Sequence, residues 1–118
     1  MTTQKHLNLS YIKALSGGNN GFVVRMLQTF CRNVPPGMSK LNEHAAAGEL
    51  VEVGQSAHKL KTMFRYVGME GIANDLERLE FNLSDISETE RSNLLRRIDQ
   101  AAEKAILEAQ DVILTTPY

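Results

Sequence analysis

The chain has 118 residues, thirteen Lys and Arg against fourteen Asp and Glu for a formal net charge of −1, and 42% hydrophobic residues. That suffices for one domain, spanning residues 1–118, around one modest core, and the lack of a basic excess argues against a nucleic-acid partner. Cys31 has no second cysteine to pair with, no apolar run approaches the ~20 residues of a membrane span, and residues 1–6 lead into no signal-peptide-like stretch, so the expectation is a cytoplasmic protein with no membrane contact.

In chain order, nearly every apolar pattern has helical spacing, and no alternating strand-like runs occur. Residues 9–16 suffice for two helical turns before Ser16-Gly17-Gly18 stops them. Asn19 or Asn20 can cap a second helix over 20–47, whose apolar positions are Val23, Leu27, Phe30, Val34, Met38, Leu41 and Ala45. The step from Val34 to Met38 crosses Pro35-Pro36 in register, which predicts one long helix kinked at the prolines; two helices broken at Val34 is the competing reading. After Gly48, a third helix over 49–67 carries the cleanest stripe: Leu50, Val53, Ala57, Leu60, Phe64 and Val67, ending at Gly68 as a left-handed cap.

Ile72, Leu76, Leu79 and Leu83 predict a fourth helix over 70–83. Ser87-Glu88-Thr89-Glu90 has the form of a capping box and opens a fifth, over 88–115, with Leu94, Ile98, Ala101, Ala105, Val112 and Ile113 inward. Four amphipathic helices with short connections predict an all-α, antiparallel four-helix bundle, with the N-terminal helix as a lid across one end. Gly17-Gly18-Asn19-Asn20-Gly21 lacks the Lys-Ser/Thr of a phosphate-binding P-loop and reads as a turn.

The functional signal lies on the third helix. At ~100° per residue the centre of its stripe falls near Ala57 and Phe64, and His58 points about 130° away, toward solvent. A metal site would need a second ligand three or four positions away, but Gly54, Gln55, Lys61 and Thr62 supply none, and His6 and His44 belong to other segments. What shares the His58 face is positive charge: Lys61, Arg65 and the adjacent Lys59, with no Asp or Glu between Val53 and Met69. Cations gather at helix C-termini for dipole reasons alone, which covers Arg65 better than Lys61. The functional reading is that cations beside an exposed imidazole stabilise a phosphoryl group on it, a neutral imidazole nitrogen being a competent nucleophile near neutral pH. Val51 and Met69, seven residues before and eleven after His58, fall on the same side by periodicity and suit a small transient interface.

Ala57-His58-Lys59-Leu60-Lys61, with Gly68 ten residues after the histidine and residues 76–80 closing the next helix, resembles the histidine-containing phosphotransfer (HPt) domain over roughly residues 9–80. The resemblance implies a helical bundle in a two-component phosphorelay, with His58 accepting a phosphoryl group from one receiver-domain aspartate and passing it to another. Lys61 matches the lysine that balances phosphate charge. Val51, Gly54, Gln55, Lys59, Thr62, Arg65 and Met69 are the candidate partner contacts. The implied partners are response-regulator receivers or a hybrid histidine kinase. The protein is then a monomer needing no cofactor of its own, its Mg supplied by the receiver, with no independent kinase activity. The chain departs from the family pattern at Thr62, where a small residue, usually glycine, is preferred, and again at Met63 and Phe64. Kinase dimerisation domains also carry an exposed helical histidine but follow it with an acid, where this chain has Lys59. A non-catalytic helical adaptor that binds receivers is the alternative function.

Overall fold

The computed structural model describes residues 6–117; residues 1–5, part of the segment read for a targeting signal, and residue 118 lie outside it. Helix α1 runs Ser10–Ser16, α2 Asn20–Ala46, α3 Leu50–Tyr66, α4 Glu70–Phe81 and α5 Glu88–Thr115, and no strand occurs among the described residues. The boundaries follow local chemistry. The Asn19 side chain accepts the Phe22 amide at 3.0 Å to start α2, and Ser87 Oγ accepts the Glu90 amide at 3.1 Å to start α5. Only half of the expected capping box forms, because the Glu90 carboxylate turns to Arg78 rather than back to Ser87.

Helix α2 is uninterrupted through Pro35 and Pro36, with Val34 and Met38 both buried, so the single-helix reading holds over the broken one. Both prolines are exposed, on the side of α2 away from Val34 and Met38. Helix α4 stops at Phe81, two residues earlier than its periodicity suggests; a short 3-10 turn, Leu83–Asp85, carries on and still buries Leu83 and Ile86. The core otherwise follows the stripes, with shifts. Leu50 is exposed because it is the first residue of α3, ahead of the packed stretch that begins at Val53. On α4 Ala73 is buried and Ile72 only partly so. On α5 the buried positions are Leu94, Ile98, Ala102, Ala105 and Ala109, while Ala101, Val112 and Ile113 are partly buried. Alanines form the deepest line there because small side chains let a helix approach its neighbour closely.

Cross-helix contacts fix the directions. Phe30 meets Phe64 edge to face at 5.5 Å, and Gly37 lies against Leu60, so α2 and α3 are antiparallel. Asn20 reaches Pro117, Cys31 lies near Ile106 and Asn42 bonds Asp99, so α2 and α5 are antiparallel too. Arg97 to Asp75 and Arg78 to Glu90 orient α4 against α5 in the same way. The ring α2–α3–α4–α5 is the expected bundle, with α1 laid on α2.

The segment before α1 acts as a strap. Glu108 of α5 accepts the amides of His6 and Leu7 at 2.7 and 3.0 Å, and the Asn8 amide bonds Val67 O at 2.8 Å. At Val67 the site helix ends in a Schellman turn, with Met69 N–H to Phe64 O and Gly68 N–H to Arg65 O. Gly68 has φ 77°, and a Cβ there would sit 2.3 Å from Asn8 O, so the strap's approach requires glycine.

Candidate phosphotransfer site

His58 lies mid-way along α3, its side chain 63% exposed, as its position on the wheel predicts. Its surroundings are not those expected from α3 alone. The Nδ1 atom lies 2.6 Å from Glu80 Oε2, and Lys61 Nζ lies 2.7 Å from Glu80 Oε1. One carboxylate thus bridges the imidazole and the ammonium. Glu80 is only about 40° from the centre of the α4 stripe formed by Ala73, Leu76 and Leu79, which leaves its side chain 12% exposed. Burial alone would push its carboxyl up, but hydrogen bonds from Lys61 and His58, with their charges, outweigh that and hold it below the ordinary 4.5.

An ionised carboxylate accepts hydrogen bonds and donates none. The Nδ1 of His58 therefore carries the proton that Glu80 accepts, and Nε2 keeps its lone pair. That tautomer, braced on the ring's inner nitrogen, is the form in which an imidazole attacks through its outer one. The side-chain amine of Lys61 is 9% exposed and sits 5.1 Å from the centre of the Phe81 ring.

These contacts revise the picture of free cations around the histidine. Lys61 is buried against Glu80 rather than standing in solvent beside His58. Arg65 is half-buried and faces Glu77 at 3.5 Å and Glu70 at 3.7 Å. The stretch from Val53 to Met69 holds no acid, and the carboxylates that meet these cations, Glu70, Glu77 and Glu80, come from α4. Met69 is also corrected: it is 6% exposed, in the core. The helical wheel that placed it outward does not extend past Gly68, where the chain leaves α3 and turns Met69 inward.

The remaining candidates do share the His58 face. Val51 is 70% exposed, and Gln55, Lys59 and Thr62 are exposed as well. With Gly54 and Glu80, Val51, Gln55, His58 and Lys59 line a shallow groove between α3 and α4, while Thr62 stands between two further clefts, one toward α1 and one toward α2. Met63 is partly buried and Phe64 fully so; those departures from the family pattern are packing choices, and only Thr62 faces outward. Among the described residues no three His, Cys, Asp or Glu side chains converge as a metal site, and no helix is long and apolar enough to cross a membrane.

Glu80 is the residue that reading α3 by itself misses. The signal was present: a glutamate inside an apolar stripe needs a partner, and Glu77 and Glu80 stand one turn apart, as Lys61 and Arg65 do on the preceding antiparallel helix.

A helical bundle that presents one imidazole outward from a rigid helix, its inner nitrogen held by a carboxylate, is a scaffold for transferring a group through histidine. The family model described as Hpt domain matches residues 25–110, most of the chain, and the chain belongs to that family, whose role is histidine phosphotransfer in two-component signalling. Searches of curated proteins and of solved structures returned no match.

Proposed function

We propose that His58 is the phosphoryl acceptor, taking the group at Nε2 from an aspartyl phosphate of one receiver domain and passing it to an aspartate of another. The observation that carries this reading is the Glu80 bridge, which leaves Nε2 as the free nitrogen on the exposed side. In the first transfer the bond between phosphorus and the aspartyl oxygen breaks, the aspartate leaves as a carboxylate, and the Nε2–P bond forms. Positive charge develops on the ring as it forms, and Glu80 offsets that charge through the Nδ1–H. The reverse sequence delivers the group to the next aspartate. Such transfer depends chiefly on positioning and charge, and the receiver supplies the divalent metal. The groove of Val51, Gly54, Gln55 and Lys59, with Thr62 and Arg65 along the same helix, is where the receiver docks.

His44 provides the natural control. Its Nδ1 also lies 2.7 Å from a carboxylate, that of Glu49, but His44 is near the end of α2 and Glu49 is half exposed. Incubation with a phosphorylated receiver tests the assignment: wild type and His44→Gln take up label, and His58→Gln stays folded and takes up none. Label on His58→Gln would remove His58 from the role. Binding of receivers by wild type with no label on any variant would favour the adaptor reading.

A further inference from the structure

Lys61 is the one charged residue buried among the described residues, and it is enclosed from two sides. Glu80 Oε1 stands on one side at 2.7 Å, and the Phe81 ring covers the other at 5.1 Å. Phe81 itself is 66% exposed at the last position of α4, so burial in the core does not explain an aromatic there. We propose that Phe81 is a positioning residue for phosphotransfer: its ring seats the Lys61 ammonium on Glu80, and Glu80, so anchored, holds His58 with Nδ1 protonated and Nε2 free. The proposal rests on the reading of His58 as the acceptor.

The physical chain is short. A lysine has four rotatable side-chain bonds and a strongly hydrated head, so near a surface its default is to extend into water. The negative face of a ring attracts the ammonium, and the bulk of the ring closes the route to solvent. With Lys61 in place the carboxylate has a fixed partner on Oε1, and Oε2 stays aimed at Nδ1. With Lys61 released, the carboxylate rotates between water and the imidazole, and the alternative tautomer, protonated on Nε2 and unable to attack, gains population.

The test uses Phe81→Leu, which keeps apolar bulk without a ring face, and Phe81→Tyr, which keeps the ring. Nitrogen-15 NMR of the isolated protein, with the ring uncharged, reports which His58 nitrogen bears the proton and needs no phosphoryl transfer. A cation on an aromatic face at a partly exposed site corresponds to a factor of roughly two to five. Phe81→Leu is therefore expected to raise the Nε2–H fraction and slow transfer by about that factor, while Phe81→Tyr matches wild type in both. Unchanged His58 nitrogen signals in Phe81→Leu overturn the proposal, and slowed transfer with those unchanged signals would make Phe81 a partner contact instead. Labelling of His58→Gln would defeat the acceptor reading separately, whatever the nitrogen signals show.

Discussion

Glu80 concentrates most of what single residues do here. Lys61→Ala would leave a nearly buried carboxylate with His58 as its remaining partner, which costs about 1–3 kcal/mol for a lost charged hydrogen bond. Both stability in urea and the transfer rate should fall, and wild-type values for both would mean the pair is incidental. The pH dependence has a definite sign. Because the folded Glu80 carboxyl lies below the ordinary 4.5, its contribution is fully present above that value and is lost as the pH falls through the lower, folded one. Urea midpoints taken downward from neutral pH should drop more steeply in wild type than in Lys61→Ala below 4.5, since the mutant lacks the strongest hydrogen bond lowering the group. Thr62 is the other residue at this scale. Thr62→Ala clears the rim between two clefts beside His58 and improves helix propensity by a few tenths to ~0.5 kcal/mol. Transfer should rise across receivers; a loss confined to one receiver would show that Thr62 contacts that partner.

Among the elements, α3 matters most, because its length and its end decide what it presents. Its stripe turns Ala57, Leu60 and Phe64 inward, and His58 goes outward as a geometric consequence. Its end is set by Gly68, where a left-handed backbone and a close neighbour coincide. Gly68→Ala adds ~1–2 kcal/mol of backbone strain, and its Cβ must also displace Asn8 O from 2.3 Å. The expected loss in a denaturant midpoint is at least about 2 kcal/mol, with faster amide exchange at Asn8. An unchanged midpoint would show that the strap does not press on this turn. The departures on α5 have a simpler origin. Ranking by hydrophobic size favours Val112 and Ile113, whereas close packing of α5 into the bundle favours the alanines at 102, 105 and 109.

The described residues form a closed ring of four helices with α1 laid on it, and the two longest, α2 and α5, are antiparallel partners. The strap joins the far end of α5 to the end of the site helix, so its lesion should be felt in stability and not in chemistry. Glu108→Gln removes at least one of two charge-assisted bonds to the His6 and Leu7 amides, for about 1–2 kcal/mol. Exchange at those amides should accelerate while phosphoryl transfer keeps its wild-type rate. A matching fall in transfer would show that the strap positions the site as well as the fold.

Helix number, order and most inward positions were legible from the sequence because they follow from local periodicity and from short-range stops: Asn19, Gly48, Gly68 and Ser87 each act on neighbouring residues. The outward direction of His58 belongs to the same class, being fixed by the angle between adjacent positions on one helix. Glu80 does not belong to it. Its partnership with His58 and Lys61 spans 22 and 19 residues and depends on the register of α3 against α4, which the packing of Leu60, Phe64, Leu76 and Leu79 determines. Met69 and Leu50 depart from the helical periodicity for a related reason: a periodic pattern carries no information about where packing begins or where the chain leaves the helix. The sequence by itself determined a helical bundle with one histidine turned out. Only the tertiary structure decided which of that histidine's nitrogens is free, because the carboxylate that selects it arrives from another helix.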